Sequence, residues 1–389
     1  MKRRNFLITS AASALAAPTI IPSSVLGADA PSNQITLGLI GCGGQGTGNL
    51  RNLMGKSGTR GIAVCDPDKN NMNRARDHVN QKNGNKDCEA FTDFRDLCAM
   101  KDLDAVIVGT PDHWHSLACL EALNNKKDVY CEKPLTHNIE EARILTNTAK
   151  KNKVVTQMGN QGGSSLGVNK IKEWVDQKLI GNISKVYSWT NRPVWPQGFE
   201  MPKPTNDKPE DLNWDLWLGP AQYRGYRPAF HPFNWRGWWD YGTGALGDMG
   251  CHILDAPYKA LELGYPKDVE CSVANIYEKI WTANYYPEGP PAASIITLHF
   301  DKTSKTGSNL ELIWMDGGII PPRPEIIPAE DYLGEKGNTN GVIMIGDKGV
   351  ISCGVYGLNP KLYRKGEQTI HYNTDLDYKK GLDHVHHME

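Results

Sequence analysis

Directly after an apolar run at 35–40 stands Gly41-Cys42-Gly43-Gly44-Gln45-Gly46, and a carboxylate, Asp66, follows 20 residues beyond Gly46. This spacing suits a dinucleotide. Gly41 permits a tight turn, Gly43 with Gly44 beside it lets the backbone approach a pyrophosphate, and Gly46 allows close packing of the helix that follows. The free amides at that helix start hold negative charge. Asp66 can accept hydrogen bonds from the adenosine ribose hydroxyls, and its charge would repel a 2′-phosphate, so NAD is favoured over NADP. Two further stretches carry polar chemistry: Thr110-Pro111-Asp112-His113-Trp114-His115 and Glu132-Lys133-Pro134. Each follows a short apolar run, which puts it at the carboxyl end of a strand, where doubly wound sheets bind ligands. No metal site is expected, because His113 and His115, or His384, His386 and His387, lack partner ligands at familiar spacing.

The elements that must position these groups follow from periodicity. Residues 35–40, 61–65, 104–109, 128–131 and 154–158 read as strands buried on both faces, with helical patterns between them, as at 115–125 and 139–152. That alternation predicts an α/β fold: a Rossmann domain at 34–155 with a doubly wound parallel sheet and right-handed crossovers. The texture changes after Met158. A glycine cluster at 159–167 leads into a helix at 168–179 and a strand at 183–191, followed by a proline-rich loop at 193–209 and tryptophans 214, 217, 235, 238 and 239. A second helix at 247–263 precedes strands at 269–277, 293–300, 308–315, 341–345 and 349–353. These alternate imperfectly and predict an α+β domain at 156–389 with a large, mostly antiparallel open sheet.

Composition narrows the partners. Lys plus Arg number 43 against 44 Asp plus Glu, so nothing in the charge calls for nucleic acid or an anionic membrane, and small neutral substrates fit better. The 11 tryptophans offer platforms for the apolar face of a sugar ring. The nine cysteines include no Cys-x-x-Cys pair, and Cys42, Cys65 and Cys131 fall in or beside strands, where a thiol serves as a small apolar group; no disulfide framework is expected. At the start of the chain, Lys2-Arg3-Arg4, then Phe6-Leu7 and a bland apolar run, read as a twin-arginine export signal over 1–30 and imply a periplasmic or extracytoplasmic location with no lasting membrane anchor.

Together the glycine fingerprint, the stretches at 110–115 and 132–134, and a further Asp248-Met249-Gly250-Cys251-His252 resemble the glucose-fructose oxidoreductase, inositol dehydrogenase and MocA family. The resemblance runs from about Ile35 to the C-terminus. It implies a sugar dehydrogenase in which Lys133, Asp248 and His252 are catalytic. The cofactor would meet Gly41, Gly43, Gly44, Gly46, Asp66, Thr110, Pro111, His115, Glu132 and Lys133. The sugar would meet Tyr241, Trp235, Arg236 and Asn160, with Gln161 toward the nicotinamide. Chemistry accounts for these residue types: an imidazole such as His252 can take a hydroxyl proton near neutrality. Asp248 shares its helix face and could orient it or bind a neighbouring hydroxyl. Lys133 would stabilise developing alkoxide charge, its pKa lowered by desolvation. Export adds a constraint, since free NAD is scarce outside the inner membrane, and it predicts a tightly held cofactor recycled in place. Three readings stay open: a sugar or glycoside oxidoreductase, a redox-neutral NAD-dependent glycosidase, and a sugar-binding protein with a structural nucleotide. The resemblance also implies a homo-oligomer, dimer or tetramer, and a chain cut short at its C-terminus, since family members continue past the final sheet with helices.

Overall fold

A computed structural model of the chain describes residues 33–374; the stretch at 1–30 read as an export signal and His384, His386 and His387 lie outside the described residues. Six strands, β1 (Ile35–Ile40), β2 (Thr59–Cys65), β3 (Glu89–Phe91), β4 (Ala105–Val108), β5 (Asp128–Cys131) and β6 (Thr156–Met158), form a parallel sheet in the order β3-β2-β1-β4-β5-β6. The order reverses between β1 and β4, which opens a crevice at the carboxyl ends of those strands. Because β6 pairs with β5, the first domain runs past the expected boundary at 155. Cys42, Cys65 and Cys131 are buried among its apolar side chains.

Two of its helices end in ways the sequence dictates. Asp68 caps Lys69–Asn83 by accepting the amides of Asn70 and Asn71, and Gly84 closes it with a left-handed φ of 68°. Asn138 caps Ile139–Asn152 by accepting the Glu141 amide at 3.0 Å, while Glu141 accepts the His137 amide at 2.8 Å. The helix Gly44–Leu53 differs: its N-cap is Gly43, and no side chain caps it.

The second sheet has eight strands in the order β16-β15-β14-β13-β7-β12-β11-β8. These are β7 (Ile183–Thr190), β8 (Asp268–Val273), β11 (Ser294–Phe300), β12 (Leu310–Met315), β13 (Asn340–Gly346), β14 (Gly349–Cys353), β15 (Lys361–Arg364) and β16 (Ile370–His371). All neighbours are antiparallel except β7 and β12. Its central strands explain the imperfect alternation. Val342 and Met344 pack with the helices Leu166–Asp176, Gly244–Ile253 and Asp255–Leu261, while Ile343 packs on the opposite face with Ile327 and Leu333, so β13 is apolar on both sides.

Two expectations need correction here. The helix expected at 247–263 is two helices, Gly244–Ile253 and Asp255–Leu261, because Pro257 has no amide to give the Ile253 carbonyl. The strand expected at 269–277 stops at Val273. Tyr277–Lys279 (β9) pairs instead with Thr282–Ala283 (β10) in a separate hairpin.

Candidate active site

One cavity of about 750 Å³ runs from the glycine loop to the helix Gly244–Ile253. Its floor on the Rossmann side is backbone. Gly41 has a φ of 88°, and a Cβ there would lie 2.6 Å from the Gly109 backbone; a Cβ on Gly46 would lie 2.2 Å from the Gly41 carbonyl oxygen. These two glycines are required by close approach of protein to protein. A Cβ on Gly43 or Gly44 would meet nothing within 4 Å, and both residues line the cavity. Their space is left for a ligand, beside a helix start whose amides have no side-chain cap.

Asp66 directly follows β2 at the cavity wall, 7% exposed, and accepts the Cys42 amide at 2.6 Å and the Asp68 amide at 2.8 Å. Burial pushes its carboxyl up to about 7, against the lowering effect of those amides. A carboxylate that accepts hydrogen bonds at the end of β2, with an uncapped glycine helix start after β1, fits a dinucleotide: the diol of the ribose for Asp66, the pyrophosphate for the amides at Gly43 and Gly44. Glu132 lines the same cavity. It holds the cradle, accepting from Asn49 at 2.7 Å and Gln45 at 3.1 Å on the glycine helix and from the Lys133 amide at 3.2 Å.

At the opposite end Lys133, after β5, meets the second domain. Its Nζ donates to Asp248 Oδ1 at 2.8 Å and to the Asp248 carbonyl at 3.1 Å. Arg236 Nε approaches the same Oδ1 at 3.4 Å. Desolvation pushes the Lys133 ammonium down, but the Asp248 charge and hydrogen bond outweigh it and hold its pKa above the ordinary lysine value. The expectation of a lowered lysine pKa is therefore wrong, because the carboxylate partner lies within direct reach. Asp248 is pushed up by burial yet held below the usual carboxylate range by Lys133, Arg236 and His252. His252, one helical turn after Asp248, is 3% exposed, lines the cavity, and meets the Tyr356 ring edge-on at 4.8 Å between centroids. Thr110, Pro111, Gln161, Trp235 and Arg236 line the cavity as well.

Four residues proposed from sequence do not line it. His115 is buried, with Nδ1 2.6 Å from the Pro134 carbonyl and Nε2 2.9 Å from the Thr110 carbonyl, so it pins the two ligand-facing turns together. Tyr241 is fully buried against Trp217, Phe230 and His113. Asn160 donates to Asp255 at 2.9 Å beneath the site, and Gly46 packs on Gly41. Gly46 thus does the close packing its spacing implies, whereas the polar groups of His115, Tyr241 and Asn160 suggested ligand contacts that the fold does not make.

Sequence reasoning missed Asp112 and Tyr356. Asp112 lines the cavity, accepts from Thr243 at 2.7 Å, and has its carboxyl pushed up by burial. Tyr356 lines the cavity from the turn after β14 with a left-handed φ of 61°, uncommon for a residue with a bulky side chain. The glycine cluster was its signal: a Cβ on Gly162 would lie 2.6 Å from the Tyr356 ring, and one on Gly167 would lie 2.0 Å from the Gly357 carbonyl oxygen.

The segment between Thr190 and Gly244 closes the cavity from above. Asn213 donates to the Pro67 carbonyl at 2.9 Å, and Lys69 donates to that of Asp211 at 3.0 Å. His231 lies 3.6 Å from Asp68. Leu216, Trp217, His231 and Pro232 thereby join Asp66 and Pro67 in one wall.

Comparison with known proteins agrees with this arrangement. The NAD-binding Rossmann-fold model of the Gfo/Idh/MocA oxidoreductase family matches residues 35–160, and the family's C-terminal alpha/beta domain matches residues 165–274. A glycosyl hydrolase family 109 protein of Shewanella baltica (strain OS185) is 29% identical over 185 residues, covering 45% of this chain and 40% of the relative. Another, from Shewanella woodyi, is 30% identical over 166 residues, covering 40% of this chain and 35% of the relative. The matched stretch thus spans less than half the length of these curated relatives. Among solved structures, the WlbA dehydrogenase of Bordetella pertussis in complex with NADH and UDP-GlcNAcA superposes with a TM-score of 0.58 at 15% identity, covering 91% of this chain and 88% of that one. Levoglucosan dehydrogenase in complex with NADH and L-sorbose gives a TM-score of 0.58 at 15% identity, covering 88% and 81%. At such identities these two carry the likeness of fold.

Proposed function

The chain belongs to the Gfo/Idh/MocA oxidoreductase family, and from that premise we propose that it oxidises a secondary hydroxyl of a sugar or glycoside, keeping its NAD bound and recycling it in place. The observation that carries this reading is the junction of the glycine cradle with Lys133, Asp248 and His252 in one cavity. When bound, the nicotinamide supplies the acceptor for the hydride that leaves the substrate carbon.

The chain's own groups divide the remaining work. Lys133, kept charged by Asp248, is a hydrogen-bond donor to the substrate oxygen and stabilises negative charge developing there. A lysine held in that state is a poor base, so His252 takes the hydroxyl proton. Asp248 fixes the ammonium, and Arg236 helps fix Asp248. Retention of the cofactor is supported by the segment tied across β2 at Pro67 and Lys69, which walls the nucleotide end. It suits the twin-arginine reading of residues 2–7, since an exported enzyme must carry its cofactor with it.

A second reading, redox-neutral glycoside cleavage with bound NAD, is favoured by the relatives named for glycosyl hydrolase family 109. One experiment tests both. Freshly purified protein is acid-extracted for NAD, then mixed with a panel of sugars and aryl glycosides without added cofactor. Near-stoichiometric NAD and reduced-nicotinamide absorbance on adding sugar support the oxidoreductase, and catalytic release of the aglycone selects the glycosidase. Protein that holds no NAD and acts only with the soluble cofactor contradicts retention; protein inert in both conditions leaves a sugar-binding role.

A further inference from the structure

We propose that the cavity mouth holds a second binding position, shaped for the ring of an aglycone or of a second sugar, so that the substrate is a glycoside and not a free monosaccharide. The inference rests on the sugar-oxidising reading above and adds the substrate class to it.

Two loops bring Val194, Trp195, Phe233, Trp235 and Arg236 to the cavity wall. Trp195 and Trp235 are buried, at 6% and 5% exposure, whereas Val194 and Phe233 stand out at 59% and 46%. The buried indoles brace the exposed groups. Trp195 meets Phe233 edge-on at 6.2 Å, and the Arg236 guanidinium lies 4.1 Å from the Trp235 ring centroid and 4.7 Å from that of Phe233. The loops are locked to each other: a Cβ on Gly237 would lie 1.8 Å from the Pro196 carbonyl oxygen. Within each loop a hydrogen bond fixes the indole, from Trp195 to Gln197 at 3.0 Å and from Trp235 to the Pro232 carbonyl at 3.2 Å. Exposed apolar groups on a braced base at a cavity rim form a ready surface for a ligand's apolar face.

The charge of Arg236 does not make this an anion site. Its Nε faces Asp248, and its Nη1 donates to the Phe233 carbonyl at 3.1 Å, so both are already engaged within the protein. The exposed apolar groups beside it, Val194 and Phe233, suit a ring: the C–H face of a pyranose or an aryl group. Arg236 also joins this platform to Asp248 and hence to Lys133. The platform starts where the catalytic groups end, so a ring joined through a glycosidic bond to the sugar at Lys133 and His252 falls on it.

The test is isothermal titration of the NAD-loaded protein with the methyl glycoside, the phenyl glycoside and a disaccharide of each sugar tried. The phenyl glycoside, the disaccharide or both are expected to bind about tenfold tighter than the methyl glycoside, and their order tells an aryl occupant from a second sugar. Phe233→Ala is expected to bring that preference close to unity, and Val194→Ser, a milder change at an exposed position, to reduce it several-fold. Equal affinity for methyl and ring-bearing glycosides in the unaltered protein, a preference that survives both substitutions, or no binding heat from any glycoside overturns the proposal. Because heat reports binding and not turnover, a protein with the expected preference that never reduces its cofactor keeps the second position and overturns the oxidoreductase reading alone.

Discussion

The two ends of the cavity are built by opposite means. The nucleotide end is backbone: Gly41 and Gly46 pack on protein, Gly43 and Gly44 leave room, and one short segment of chain with Asp66 completes it. The reacting end is side chains from distant parts of the sequence, with Lys133 after β5, Asp248 and His252 on one helix, and Tyr356 beyond β14. Backbone recognition tolerates changes in side chains around it, whereas the reacting end depends on each group being delivered to within a fraction of an ångström. The difference predicts which substitutions remove chemistry and which remove cofactor.

The largest effect belongs to the reacting end. Lys133→Met is expected to slow reduction of bound cofactor by sugar about 10³-fold, and His252→Asn by about 10²-fold or more, with the extracted NAD content unchanged. Stopped-flow absorbance reads the rate, and a Lys133→Met protein within tenfold of the native rate would break the division of labour. At the nucleotide end, Gly43→Ala is expected to raise the dissociation constant for NAD about tenfold or more while changing the stability of the stripped protein by less than about 0.5 kcal/mol. Gly46→Ala, whose Cβ would lie 2.2 Å from the Gly41 carbonyl, is expected to cost about 1–3 kcal/mol of stability as well. Denaturant unfolding alongside NAD titration separates the two glycines; equal stability losses would contradict the backbone argument.

A smaller effect sharpens the boundary between the ends. Tyr356 sits edge-on to His252, so Tyr356→Phe is expected to retain most of the rate and Tyr356→Ala to lose about tenfold through misplacement of the imidazole. If Phe is as slow as Ala, the phenol and not the ring is what matters. The smallest concerns Asp66. Its folded pKa of about 7 lies above the 3.8 of an ordinary aspartate. The native state therefore binds the extra proton between those values, and its stabilising effect is lost as pH rises through the folded pKa. Thermal unfolding of the stripped protein should fall from about pH 4 to about pH 7 more steeply than that of Asp66→Asn. Parallel slopes would remove Asp66 as the cause.

How much the sequence told follows the same division. Glycines at fixed spacing declare a local backbone shape, so the cradle and the parallel sheet around it could be read from residues 35–66 without knowing what packs above. Lys133, Asp248 and His252 were legible through the family pattern, but the ion pair that keeps Lys133 charged was not, since it joins residues 115 apart. Tyr356 was hidden for the same reason, and the glycines that make space for it carried no address for their partner. Tyr241 and His115 erred the other way: an aromatic and an imidazole near the motifs suggested ligands, yet burial assigns them to packing. The strand at Lys361–Arg364 went unread because a short run between turns has too little periodicity to register.

The most direct test of the account is the pH dependence of cofactor reduction in a single turnover, measured for the native protein, His252→Ala and Lys133→Met with a sugar that drives it. With His252 as base and Lys133 as a permanently charged donor, the native rate rises with pH as one group loses its proton. That limb disappears in His252→Ala, while Lys133→Met is slow at every pH but keeps its shape. A limb that persists without His252 and vanishes with Lys133 would contradict the assignment and make the lysine the base.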